Sequence, residues 1–131
     1  MIDRPFLAVV SSGSLRLQSP KGVEFSHSWT QSGVVVESEF TGGHLIHLAI
    51  AGCVLNDVHR EAVKLGITID GVKVVAWGDF DRSSWQSTGV EYSVEIDARE
   101  PDTDLDRLLA IVDDVAEMPK TLRLGTTVTR V

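Results

Sequence analysis

The chain has 131 residues, and its 12 basic and 19 acidic side chains give a net charge of −7. That length buries a core without staples, and dispersed acidity disfavours a phosphate backbone as partner. The single cysteine forms no internal disulfide, and the opening Met-Ile-Asp-Arg-Pro-Phe-Leu-Ala-Val-Val is too short an apolar run for a signal sequence or membrane span. A single soluble, cytoplasmic domain over residues 1–131, with no nucleic acid and no membrane as partner, is the expectation.

The first forty residues carry strand signals over Phe6–Val10, Gly13–Leu17, Val23–Trp29 and Val34–Phe40, broken by Ser-Ser-Gly, Ser-Pro-Lys-Gly and Gln-Ser-Gly. They predict an antiparallel meander. From Gly42 or Gly43 the apolar period changes to three and four through Leu45, Leu48, Ala51 or Gly52, Leu55, Val58, Ala62 and Leu65, and Gly66 stands where a C′ cap belongs. A helix of roughly twenty residues or more follows from this pattern. Its first half is apolar on more than one face and is expected to be covered on nearly all sides. Its second half, Asn56-Asp57-Val58-His59-Arg60-Glu61, is expected to be half exposed.

Two long strands are predicted next, Thr68–Phe80 and Thr88–Ala98, joined as a hairpin across a loose polar connection. Pro101-Asp102-Thr103 opens a second helix, with Thr103 and Asp106 spaced as a capping box and Leu105, Leu108, Leu109, Val112 and Val115 along its apolar stripe. The helix is expected to end near Met118-Pro119, and the β-branched Gly125–Val131 to close the chain as a strand. No repeat or linker divides these elements, so the fold class is α+β.

Cys53 is the residue on which function turns. A lone thiol in an apolar helix is a small buried filler, a ligand without partners, or a nucleophile that works alone. It stands about ten residues beyond the helix start, outside the reach of the helix dipole, and burial raises its pKa. At ~100° per residue its face carries Ile46, Ala49, Ile50, Asn56, Asp57 and Arg60. Arg60 could supply positive charge, but Asp57 lies between them and is placed to pair with it.

The remaining candidates are weaker. His44 and His47, at i and i+3, could hold a metal with a third ligand from His27 or His59, but His59 is too far along the helix and no carboxylate or thiol stands at ligand spacing. The expectation is no metal and no cofactor, with both histidines lining a partly polar helix start. Trp29, Trp77 and Trp85 are core and rim aromatics, with Trp85 able to cover a pocket mouth. Gly42-Gly43 lacks the lysine and further glycines of a phosphate cradle, and Asp113-Asp114 is the solvated face of the second helix.

The order of elements and the run Leu48-Ala49-Ile50-Ala51-Gly52-Cys53, followed by Leu65-Gly66-Ile67 and a strand, resembles the OsmC/Ohr family of thiol-dependent hydroperoxide reductases. The resemblance covers essentially the whole chain. It implies an intertwined homodimer with the long helices buried between sheets, and a Cys53 thiolate that attacks a hydroperoxide. Arg16 is the candidate for the arginine that the family places beside its thiolate. The family's second cysteine would fall on Met118 or near Ala116, so the sulfenate must be resolved by an external thiol. Gly43 stands where the family's glutamate would be. A chain that has lost this chemistry would keep the dimer and bind a hydrophobic small molecule in an interface pocket.

Overall fold

Ala8-Val-Val-Ser-Ser-Gly13 is buried along nearly its whole length, as a strand is when it has neighbours on both edges and cover on both faces. In the computed structural model, which describes residues 3–131, this strand β1 (Ala8–Gly13) lies inside a five-stranded antiparallel sheet. With β2 (Val23–Phe25), β3 (Val34–Glu37), β4 (Ile69–Phe80) and β5 (Ser87–Ala98), the spatial order is β2-β3-β1-β4-β5. Val10 pairs with Val36 on one side and Val74 on the other.

The simple meander is therefore corrected. The segment after β1 does not pair with it, and Gly13–Leu17 is a turn. Gly13 sits at φ +60°, where an added Cβ would lie 2.1 Å from the Asp70 carbonyl oxygen. The Leu15 and Arg16 N–H groups bond back to the carbonyls of Ser12 and Gly13. Ser11 Oγ accepts the Leu17 N–H at 2.9 Å, folding this segment across the side of β1 that faces away from the helix.

The long helix α1 (Gly42–Leu65) has the predicted span. Thr41 caps its start by accepting the His44 N–H. Gly66 at φ 71° ends it, with the Gly66 N–H on Val63 and the Ile67 N–H on Ala62. Ile50, Ala51, Val54, Leu55, Val58 and Ala62 pack onto Val10, Val34, Val72, Val74 and Ala76 of the sheet. Leu108 and Val112 of α2 (Asp102–Val115) complete this core. Along β5 the period is two: Val90, Tyr92, Val94 and Ile96 touch the core while Glu91, Ser93, Glu95 and Asp97 are exposed.

Three further expectations change. The capping box is not formed, because Thr103 is already helical and α2 begins at Asp102. The helix breaks at Ala116, and a separate α3 (Glu117–Leu124) carries Pro119 in its first turn, where a missing N–H costs nothing. Gly125 at φ 72° ends α3, and residues 126–131 are exposed and form no strand among the described residues. The α+β class and its element order through the second helix stand.

The burial of α1 also runs against expectation. Asp57, His59 and Glu61 of its polar half are buried, whereas Leu45, Ile46, Leu48 and Gly52 of its apolar half are half-buried and Ala49 is exposed. Polar groups tolerate burial when they have partners: His59 has the Ser12 hydroxyl, Glu61 has Arg60 and Lys64, and Asp57, whose Oδ2 makes no hydrogen bond among the described residues, has the ion pair with Arg60.

Candidate functional site

Cys53, Asp57 and Arg60 recur at one side of α1, and the first turn of α3 meets that side. The half-buried Cys53 thiol donates to Glu117 Oε2 at 3.4 Å. Arg60 Nη1 reaches the other carboxylate oxygen of Glu117 at 3.5 Å, and its Nη2 lies 3.1 Å from Asp57 Oδ2. The Asp57–Arg60 pairing expected from the sequence is thus present. The cysteine sulfur and one oxygen each from Asp57 and Glu117 lie within 4.8 Å of one another, with the Arg60 guanidinium supplying positive charge to the group.

Burial pushes the Cys53 thiol above its ordinary pKa, the Met118 backbone N–H opposes this, and the Asp57 and Glu117 carboxylates reinforce it. Burial also raises Asp57, against the pull of Arg60. Glu117 is held low by its own backbone N–H and then by the thiol. Sequence reasoning missed Glu117, which is remote from Cys53 in the chain. The alignment of the absent cysteine on Met118 was the signal pointing to this segment.

Arg16 lies elsewhere. It pairs with Glu24 and lines a groove with Gly13, Leu17, Ser19 and Val35. Among the described residues no contact joins it to Cys53.

The histidines do not converge on one site. His44 is 3.0 Å from a Glu39 carboxylate oxygen, with its Nδ1 at 2.6 Å from the hydroxyl of Thr41. His47 is fully buried, its Nδ1–H donating to the Gly43 carbonyl at 2.6 Å while Nε2 has no hydrogen-bond partner among the described residues. Burial lowers its pKa. His27 and His59 form a second pair, rings 5.3 Å apart, that spacing did not reveal. His27 bonds Thr30 and Asn56, and His59 Nε2 lies 3.0 Å from the buried Ser12 hydroxyl. Burial lowers His59 to about 4.

At the start of α1 the space beside Gly43 is filled. A Cβ on Gly43 would lie 2.4 Å from the Phe6 ring, which packs edge-on against His44 and Phe80. Phe6, Ile46, Phe80 and Trp85 line a cavity of about 330 Å³, beside Arg82. Phe6 and Trp85 both adopt left-handed backbone, at φ 52° and 61°. Trp85, 67% exposed, is one of the residues lining this cavity.

Asp114 is exposed, and the Asp113 side chain, 51% exposed, stands at the solvated face while also making bonds that the sequence did not suggest. It accepts from the Tyr92 hydroxyl and from Arg123 Nη2 at 2.7 Å, while Arg123 Nη1 bonds its carbonyl at 2.9 Å. Burial, then this bond, pushes Tyr92 up to about 12. These bonds link α3 to α2 and β5.

A family model described as OsmC-like protein matches residues 36–130. A search of curated proteins finds no match. Among solved structures, an OsmC-like protein from Mycoplasma pneumoniae superposes with a TM-score of 0.59 at 13% identity, over 81% of this chain and 88% of that one. An OsmC-like hydroperoxide resistance protein from Jannaschia sp. CCS1 gives 0.54 at 12%, over 93% and 89%. An OsmC-like protein of unknown function from Vibrio cholerae gives 0.51 at 10%, over 92% and 94%. At these identities the likeness is one of fold. Among the described residues no helix is long and apolar enough to cross a membrane.

Proposed function

Since the chain belongs to the family of OsmC-like proteins, we propose that it reduces organic or inorganic hydroperoxides through Cys53. The observation that carries this reading is a free, half-buried thiol on the long central helix, placed against the first turn of α3. Its thiolate attacks one peroxide oxygen, the O–O bond breaks, and Cys53–SH plus ROOH become Cys53–SOH plus ROH. An external thiol condenses with the sulfenate, releasing water, and a second one frees Cys53 as the thiol.

The half-open apolar side of α1 supports a homodimer. Leu48 is half-buried, Ala49 is exposed, and a Cβ added at Gly52 meets nothing within 4 Å. Within one chain Arg60 is the arginine beside this group, and a partner copy could bring a second, such as Arg16.

One observation favours a second reading, in which the chain binds a hydrophobic small molecule without redox chemistry. The cavity at Phe6, Ile46, Phe80 and Trp85 is apolar. Stoichiometric cumene hydroperoxide and hydrogen peroxide, followed by mass spectrometry with Cys53→Ser as control, separate the two. Rapid gain of one oxygen at Cys53 is the expected result; oxidation no faster than that of a free thiol would leave only the binding reading.

A further inference from the structure

We infer that Glu117 is a positioning residue whose contact with the Cys53 thiol favours the S–H form and so sets how fast the sulfur reacts with an electrophile. The inference deepens the proposed reading by naming what controls its reacting atom.

The geometry makes the contact specific to one protonation state. The S–H donates to Glu117 Oε2 at 3.4 Å, and a thiolate has no proton to donate. Ionisation loses that bond and sets an anion within 4.8 Å of carboxylate oxygens from both Glu117 and Asp57. Both penalties fall on the thiolate alone. Arg60 gives the sulfur little relief, because it is shared among Asp57, Glu61 and Glu117 at 3.1, 3.3 and 3.5 Å.

The adjacent residue acts in the opposite sense. The Met118 backbone N–H favours the anion at the same sulfur, as a donor in the first turn of α3. Removing the Glu117 charge leaves that donor in place. The Glu117 side chain is 61% exposed, so it can rotate away or be replaced without disturbing the core.

The test is the rate of Cys53 alkylation by iodoacetamide as a function of pH, read by mass spectrometry, with Cys53→Ser as the blank. In this reaction the thiolate forms the S–C bond, iodide leaves, and the thiol proton passes to water. Glu117→Gln is expected to move the midpoint down by about one pH unit, roughly a tenfold change in the ionisation constant. At about pH 7.5 the rate should rise only roughly threefold, because a more acidic thiolate is a weaker nucleophile. Glu117→Asp, which keeps the charge at shorter reach, should fall between the two.

An unchanged or raised midpoint in Glu117→Gln would overturn the inference. So would slower alkylation, which would make Glu117 a proton acceptor. Alkylation needs no peroxide chemistry, so a thiol that fails to reduce peroxides but shows the midpoint shift would sink the proposed function and leave this control standing.

Discussion

From Leu45 to Gly52, α1 is built of aliphatic and small residues apart from His47, yet much of this half is open. From Asn56 to Glu61 it is mostly polar and mostly buried. The difference lies in partners rather than in hydropathy. His59 has Ser12 of β1, and Arg60 serves both Asp57 and Glu61. Each of these polar groups meets an opposite number supplied by β1 or by the next turn, which offsets the cost of leaving water. No such constraint closes the apolar half, and its openness marks the face on which a second copy is proposed to sit.

Core truncation would expose the contrast most strongly. Leu55, at 1% exposure, lies at the boundary where the helix turns fully inward, whereas Leu48 is half-buried. Leu55→Ala should cost about 2–5 kcal/mol in chemical denaturation, and Leu48→Ala roughly half of that or less. Equal losses would mean that the apolar half is as well packed within one chain as the polar one.

The next effect is one of pH. Burial holds His59 near 4, against 6.5 in the unfolded chain. Between these values the unfolded state binds a proton that the folded state refuses, so stability falls as pH drops through that window and this contribution is intact above it. The expected loss is on the order of 3 kcal/mol, against the same scan for His59→Gln. A variant whose stability falls equally steeply would show that the Ser12–His59 contact is not what acid disrupts.

What could be read from the sequence follows the same division. The span of α1, its cap at Gly66 and the β4–β5 hairpin were legible, because each rests on local periodicity or on a glycine with one conformational use. The Asp57–Arg60 pair was legible because one helical turn fixes it. The central place of β1 was not, since pairing Val10 with Val36 and Val74 joins segments that local pattern cannot rank. Nor was the His27–His59 pair or the Cys53–Glu117 contact, each made between distant elements. The surroundings of Arg16 were not legible either, since its pairing with Glu24 within the chain joins two segments that no local period relates. The closing strand failed for a simpler reason, for a β-branched run becomes a strand only beside another edge.

The smallest effect bears most directly on the open half of the helix. Gly52 lies in the interior of α1, where glycine costs about 0.5–1 kcal/mol relative to alanine, and an added Cβ meets nothing within 4 Å. In a lone chain, Gly52→Ala should therefore stabilise by about that amount. In a homodimer packed through this face the same methyl group would enter a contact sized for glycine, where overpacking costs about 1–3 kcal/mol. Denaturation at two protein concentrations separates these contributions, because only the second depends on association. The expected result is a gain in the dilute sample that reverses in the concentrated one, with weaker association in sedimentation. A gain of equal size at both concentrations would place any second copy on some other surface, and the exposed aliphatic face of α1 would then need a different occupant.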